Sequence, residues 1–251
     1  MTDEIIVYGL IASRTFLLAW GVLCAVHGAD AYEADPATVG ATIGGRITIA
    51  GAIPKSKPLP VHRDNAVCGM TIPNEALIVD QGSRGIIEVV VSLEGVTKGK
   101  PFPDNSTLVL ENRACRFFHR TNAVSVGSTL EIRNTDPILH NTHIRKDTRM
   151  GPTLINVSQP VGTKAILKPL SVPGFFDTRC DAHPFMVGSV HVFEHPYFTV
   201  TDETGSFAIS KVPPGTYQLH IWHERLGVRE KTIKVLDGAS ITVDLSLEGD
   251  E

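Results

Sequence analysis

The chain has little of what several function classes require. It carries no run of Lys or Arg, and its formal net charge is −4 over 251 residues. Binding to nucleic acid rests on clustered cations that neutralise phosphates, so the sequence argues against that partner. Gly-x-Ser-x-Gly, a Walker phosphate loop and His-Glu-x-x-His are all missing, which removes the common signatures of esterases, nucleotide hydrolases and zinc proteases. Helix starts, in which a capping residue leads into a 3.6-residue apolar period, are also missing. No internal repeat or low-complexity tract is visible. The apolar run from Thr15 to Val26 is too short to span a bilayer comfortably.

What is present favours strands joined by turns. Gly (22) and Pro (16) are frequent, and so are Val, Ile and Thr. Gly45–Gly51 alternates apolar and polar residues with the strand period. Pro54, Pro58 and Pro60 then interrupt the chain. Strands are expected over Ile86–Leu93, Thr107–Leu110, Ala165–Leu170 and Gly188–Phe193, with two more between Ala123 and Ile132 around Gly127. Asn134-Thr135-Asp136-Pro137 reads as a turn. Beyond His195-Pro196, five short strands follow, starting at Phe198, Gly205, Thr216, Glu230 and Ser240, with turns at Asp202–Gly205, Pro213–Gly215 and Asp237-Gly238. That spacing indicates an all-β sandwich. The tail is short for independent stability and should pack on the preceding part or borrow a strand from it.

The N-terminus reads as an export signal over residues 1–31. Arg14 precedes the apolar run, and Ala29-Asp30-Ala31 offers a small-x-small cleavage site. Asp3 and Glu4 stand where positive charge is usual, so the alternative is a retained anchor. Cleavage leaves no stable membrane span and places the protein in the periplasm or outside the cell. Three cysteines then remain, Cys68, Cys115 and Cys180, and an odd number leaves one thiol unpaired. Cys180 stands among His and Met, so it is the natural odd one out. Cys68 and Cys115 could form a disulfide in an oxidising compartment; the alternative is two free or buried cysteines.

Cys180, His183 and Met186 are spaced by three around Pro184. A strand turns every second residue to one face, so this spacing needs a loop. A thiolate, an imidazole and a thioether together suit copper, and Cys/His equatorial ligands with a weak axial Met mark a blue-copper electron-transfer site. A second imidazole is needed, and His140 and His143 follow the turn at residues 134–137. In a sandwich, loops from different strands meet at one end.

These residues also carry a family resemblance. Cys180-Asp-Ala-His183-Pro-Phe-Met186, followed by Gly188 and a strand, resembles the ligand loop of amicyanin, a member of the cupredoxins. Leu139-His140-Asn141-Thr-His143 resembles the upstream ligand stretch of the same family. The resemblance implies one mononuclear type 1 copper ion held by His140, Cys180, His183 and Met186. It makes His143 a non-ligand and Asn141 the residue tying the ligand strand to the Cys loop. It also implies a His183 ring directed toward solvent beneath Pro184 and Phe185. Asp181-Ala182 departs from the usual Thr-Pro, and a carboxylate beside the thiolate would favour Cu(II).

The fold implied is a cupredoxin-like Greek-key β-sandwich over residues 44–195, after a short leader at 32–43. Thr201–Phe207 and Val212–Tyr217 resemble a carboxypeptidase-regulatory or transthyretin-like module over 196–251, which implies structure or docking. The expected function is electron transfer with a redox partner such as a c-type cytochrome or a dehydrogenase. The alternative is a copper-binding or docking β protein with no shuttle role. Multicopper oxidation needs His-x-His pairs, which are absent, so an enzyme is not expected. His191 and His195 are placed at the surface, and Trp222 in a packed core.

Overall fold

A computed structural model describes residues 31–249. All but the last residue of the expected export signal lies outside the described residues. The described chain is nearly all β, and its helix is confined to the single turn Asn65–Cys68. Among the described residues, no helix is long and apolar enough to cross a membrane.

Two hydrophobic cores organise the strands. One is built on Leu110, Leu130, Ile132, Ile144, Phe176 and Val190. It lies between a four-stranded sheet and a five-stranded sheet. The first has the order Ile166–Leu170, Ser128–Asn134, Thr107–Arg113, Arg116–Phe118. The second has the order Thr153–Gln159, His140–Lys146, Gly174–Arg179, Val187–Phe193, Thr121–Ser125. The pairs Ser128–Asn134 with Thr107–Arg113 and Val187–Phe193 with Thr121–Ser125 are parallel; the other pairs in these two sheets are antiparallel. Successive residues of Val187–Phe193 face opposite sides. Val190 and Val192 enter this core, while His191 leaves on the other face and meets Trp222 edge-on, with ring centroids 4.4 Å apart.

The second core holds Ile43, Ile47, Val91, Leu93, Tyr197, Phe207, Leu219 and Ile233. Its sheets mix the two ends of the described chain. Ala41–Ala50 pairs with Ser206–Val212, Ser240–Thr242 and Leu245–Glu248. Val90–Glu94 lies between Phe198–Val200 and Gly215–His223.

The expected division into 44–195 and 196–251 therefore needs correction. Strands before residue 96 complete the C-terminal sandwich, and the other sandwich is inserted between them. The physical reason is the one that made the short tail suspect: it has too few apolar residues to close a core without Ile43, Ile47, Val91 and Leu93. The supposed leader takes part as well. Ala41 is buried in that core, and Glu33–Ala34 pairs with Lys98–Gly99.

Two expected strands are interrupted for identifiable reasons. Within Ile86–Leu93 the ladder begins only at Val90. Glu88 takes a left-handed conformation (φ 62), and its carboxylate accepts the backbone N–H groups of Arg120 and Thr121 at 3.0 and 3.1 Å. Near the C-terminus, one expected strand is two, Ser240–Thr242 and Leu245–Glu248. In the break, Asp244 accepts the Arg46 N–H at 2.9 Å.

Candidate metal centre

His140 opens the strand His140–Lys146, directly after the Asn134–Pro137 turn. The Asn134 side chain holds that turn: its amide donates to the Ile138 carbonyl at 2.8 Å and its oxygen accepts the Asp136 N–H at 3.0 Å. The two-residue period puts His140, Thr142 and Ile144 on the core side and Asn141 and His143 on the other. Below His140 a buried polar network fixes the strand. Gln159 Oε1 accepts from Asn112 Nδ2 at 2.9 Å and from Thr142 Oγ1 at 3.1 Å.

Cys180, His183 and Met186 lie on the loop between Gly174–Arg179 and Val187–Phe193. Arg179 and Val187 are paired across the base of this loop. Two backbone bonds close it, from Met186 N to His183 O at 2.8 Å and from Cys180 N to Met186 O at 3.3 Å. A loop of this kind is what the spacing of three required.

The loop brings the expected donors together. His140 and His183 are fully buried, and Cys180 and Met186 nearly so. Cys180 Sγ lies 4.0 Å from His140 Nδ1 and 3.6 Å from His183 Nδ1, with the two imidazole centroids 4.8 Å apart. One metal–sulfur and one metal–nitrogen bond sum to about 4.3 Å, so each Cys–His pair is close enough to share one ion, and all three donor atoms lie within 4.8 Å of one another. Met186 is buried in the same core as Cys180.

Asn141 joins the ligand strand to the loop. Its N–H donates to Cys180 Sγ at 3.3 Å, and its side-chain oxygen accepts the Asp181 N–H at 3.0 Å. His143 is directed elsewhere. Its Nδ1 pairs with the Asp181 carboxylate and its Nε2 with Thr153 Oγ1, both at 2.8 Å. Asp181 thus turns its charge toward His143, with Arg145 at 4.0 Å.

Two carboxylates escaped the sequence reading. Asp136 Oδ2 lies 2.8 Å from His140 Nε2, and Asp64 Oδ2 lies 2.9 Å from His183 Nε2. A carboxylate only accepts, so each Nε2 carries the proton and each Nδ1 lone pair faces the thiol. Asp136 also accepts the N–H groups of Ala114 and Cys115 at 2.7 and 2.8 Å. Those two residues form the tight turn between Thr107–Arg113 and Arg116–Phe118, with φ of 52 and 56. Such a turn favours Gly or Asn, and the carboxylate compensates by satisfying both amides. A signal for Asp136 existed, because it lies four residues before His140 in a turn. Asp64 is 119 residues from His183, and nothing local pointed to it.

The expected solvent-facing His183 ring is corrected by this arrangement. Residues 59–72 fold as a small hairpin, with Leu59–Pro60 paired to Thr71–Ile72 and the helical turn Asn65–Cys68 between them. The hairpin covers the ring. Cys68 is bridged to Cys115, so the two cysteines do form the disulfide. A second cluster of potential donors, Cys115, Asp136 and His140, is not a separate site, because Cys115 is spent in that bridge.

The donor set fits a soft metal. Burial pushes the Cys180 thiol up, against the opposing effect of the Asn141 N–H, so a bound cation is what would make the thiolate. Burial holds His140 below its ordinary value, opposed by the Asp136 bond. A neutral imidazole is the ligating form.

Comparison with known proteins gives partial likenesses. Residues 185–243 match the family model described as polysaccharide lyase family 4, domain II. No curated protein matches the chain. A copper-containing nitrite reductase from Thermus scotoductus SA-01 superposes on 40% of this chain at 20% identity and a TM-score of 0.31. The matched part is 24% of the reductase's own chain. Amicyanin from Paracoccus versutus superposes on 36% of this chain and 84% of its own, at 21% identity and a TM-score of 0.31. An amicyanin variant in the reduced state covers 37% of this chain and 97% of its own, at 23% identity and a TM-score of 0.30.

Proposed function

We propose that the protein is an exported cupredoxin that holds one copper ion in a mononuclear type 1 site and carries single electrons between redox partners. The observation that supports this best is the buried convergence of Cys180 Sγ with the Nδ1 atoms of His140 and His183. When bound, copper supplies a one-electron Cu(I)/Cu(II) couple, with intense colour from thiolate ligation. Cys180, His140 and His183 would hold it, and Met186 would add a weak thioether donor.

The remaining residues supply rigidity. Asp136 and Asp64 fix both imidazole tautomers, and Asn141 pins the loop to the ligand strand. A site held this firmly changes little between oxidation states, which suits electron transfer rather than catalysis. A c-type cytochrome or a dehydrogenase would dock through a weak, transient interface. The C-terminal sandwich, read as a carboxypeptidase-regulatory-like module, would serve structure or docking.

A second reading, a copper-holding protein without a shuttle role, is favoured by the complete burial of His183. Titration of the purified protein with Cu(II) tests the first. Intense thiolate-to-copper absorption in the visible is expected, with one ion per chain, and Cys180→Ser should abolish it. A colourless adduct, or colour that survives the substitution, refutes the type 1 assignment. A coloured protein that cannot be cycled by small redox reagents supports the second reading.

A further inference from the structure

His183 belongs to the proposed copper site, yet its outer edge is not free. Three observations bear on that edge. The ring is fully buried, its Nε2 is hydrogen-bonded to Asp64 at 2.9 Å, and Asp64 belongs to a hairpin far away in sequence. The hairpin is built to stay in place. Leu59, Ile72 and Pro73 line one narrow crevice together with Phe117, Phe185 and Met186. The Val61 N–H bonds to the Met70 carbonyl at 3.0 Å, and the Asn65 amide donates to Val61 O and Gly69 O at 2.9 and 3.2 Å. The Cys68–Cys115 bridge fastens its tip.

Asp64 itself adopts a left-handed backbone (φ 56). Asp is among the few residues other than Gly that visit this conformation. It persists because both ends of the residue are engaged. Its carbonyl accepts the N–H groups of Val67 and Cys68 at 2.9 Å, and its carboxylate holds His183.

We infer that residues 59–72 are a disulfide-anchored cap over His183, with Asp64 as the positioning residue that holds this imidazole in its metal-binding tautomer. The inference deepens the copper reading and rests on it for the identity of the metal, not for the existence of the cap. Its functional consequence is that a redox partner does not touch the His183 ring. It meets the cap, whose outer surface presents His62, Arg63, Val67 and Met70 to solvent. Electrons then leave through the Asp64 hydrogen bond.

The test uses the full-length protein in two states. In the metal-free protein, diethyl pyrocarbonate labels accessible imidazoles, and peptide mass spectrometry locates the label. Exposed His62 serves as the internal standard. In the wild type, His62 should react and His183 should not. Asp64→Ala, and separately the Cys68→Ala/Cys115→Ala pair, should expose His183. Asp64→Asn keeps an acceptor and should keep the protection, which guards against a fold lost in the alanine variant.

In the loaded state, zinc(II) is the probe because it has no redox chemistry. Loss of an outer partner of a ligating His typically weakens metal binding about 10–100-fold. Asp64→Ala should therefore bind zinc at least about tenfold more weakly, with part of the loss rescued by Asn. Labelling of His183 in the wild type at the rate of His62 overturns the cap. Unchanged zinc affinity in Asp64→Ala overturns the positioning role. Protection that depends on Asp64 in a protein that never develops the copper colour leaves the cap standing and removes the copper reading.

Discussion

Acid should destabilise this protein through two histidines that have no part in the proposed metal centre. His191 is 8% exposed. It is enclosed by Phe175 and Trp222, with ring centroids at 5.0 and 4.4 Å, and its Nε2 has no hydrogen-bond partner. Burial, and the nearby His220 to a lesser degree, push its pKa from 6.5 down to about 3. His223 is 5% exposed. Its Nδ1 accepts the N–H groups of Arg225 and Leu226 at 3.3 Å, a role that protonation would end. Burial and then the charges of Arg120 and Arg225 bring its pKa down to about 4.

Both folded values lie below the unfolded one. The stability they carry is complete above pH 6.5, where both states are neutral. It is lost as the pH falls below 6.5 toward the folded values, because the unfolded chain takes up the proton first. At about pH 5 the linkage relation gives a loss of about 2 kcal/mol for each histidine relative to neutral pH. Urea unfolding at pH 7.5 and pH 5, on wild type and variants, measures it. His191→Leu keeps an apolar side chain in the aromatic cage and should shrink the pH-dependent loss by about 2 kcal/mol. His223→Asn, which retains an acceptor for the two amides, should do the same. Differences between variants cancel the other titrating groups. A His191→Leu protein whose stability falls between the two pH values as steeply as the wild type refutes the reasoning.

Three further outcomes can be checked. Asp136→Ala removes the acceptor for His140 and for two backbone amides in a left-handed turn; it should cost about 3 kcal/mol in urea unfolding and weaken zinc binding about tenfold in a competition titration. Phe176→Ala deletes a side chain 1% exposed in the core beneath the metal centre, and thermal or urea unfolding should show a loss of about 3–5 kcal/mol. Reducing the Cys68–Cys115 bridge, which spans 47 residues, should cost about 4 kcal/mol on the chain-entropy account, read as a lower urea midpoint after reduction.

The parts of the fold governed by short periodicities were legible in the sequence. Gly188–Phe193, the pair of strands about Gly127 and the tail strands announce themselves through β-branched residues between turns. So does the metal loop, because Cys180, His183 and Met186 cannot share a strand face. Counting left one thiol over, and the His and Met around Cys180 marked it as that one. Long-range closure was not legible. Nothing in Ala41–Ala50 or Val90–Glu94 states that they complete a sandwich with residues 198–248. A strand's pattern shows that one face is buried and does not say against what. His191 was misplaced for the same reason: it lies on the face of its strand opposite the metal-site core, and only the second sandwich buries it. Asp64 illustrates the limit most sharply, since one acidic residue in a proline-broken stretch carries no sign of a histidine 119 positions away.

The disulfide connects more than two loops. At its Cys68 end, the Cys68 N–H bonds to the carbonyl of Asp64, whose carboxylate holds His183. At its Cys115 end, the Cys115 N–H bonds to Asp136, whose carboxylate holds His140. One covalent bond therefore ties together the carboxylate partners of both imidazoles, although one imidazole comes from a strand and the other from a loop about 40 residues later. Each hydrogen bond alone fixes one ring; the bridge fixes the two rings relative to each other. That relative placement is what a three-donor site requires, because an ion that reaches Cys180 Sγ must find both Nδ1 atoms at once. Asp181 was expected from the sequence to set this centre apart, but its carboxylate is turned to His143. The carboxylates that bond the two imidazoles are instead those of Asp64 and Asp136. Both act through an imidazole rather than on the thiolate, and both would favour the more highly charged state of a bound metal.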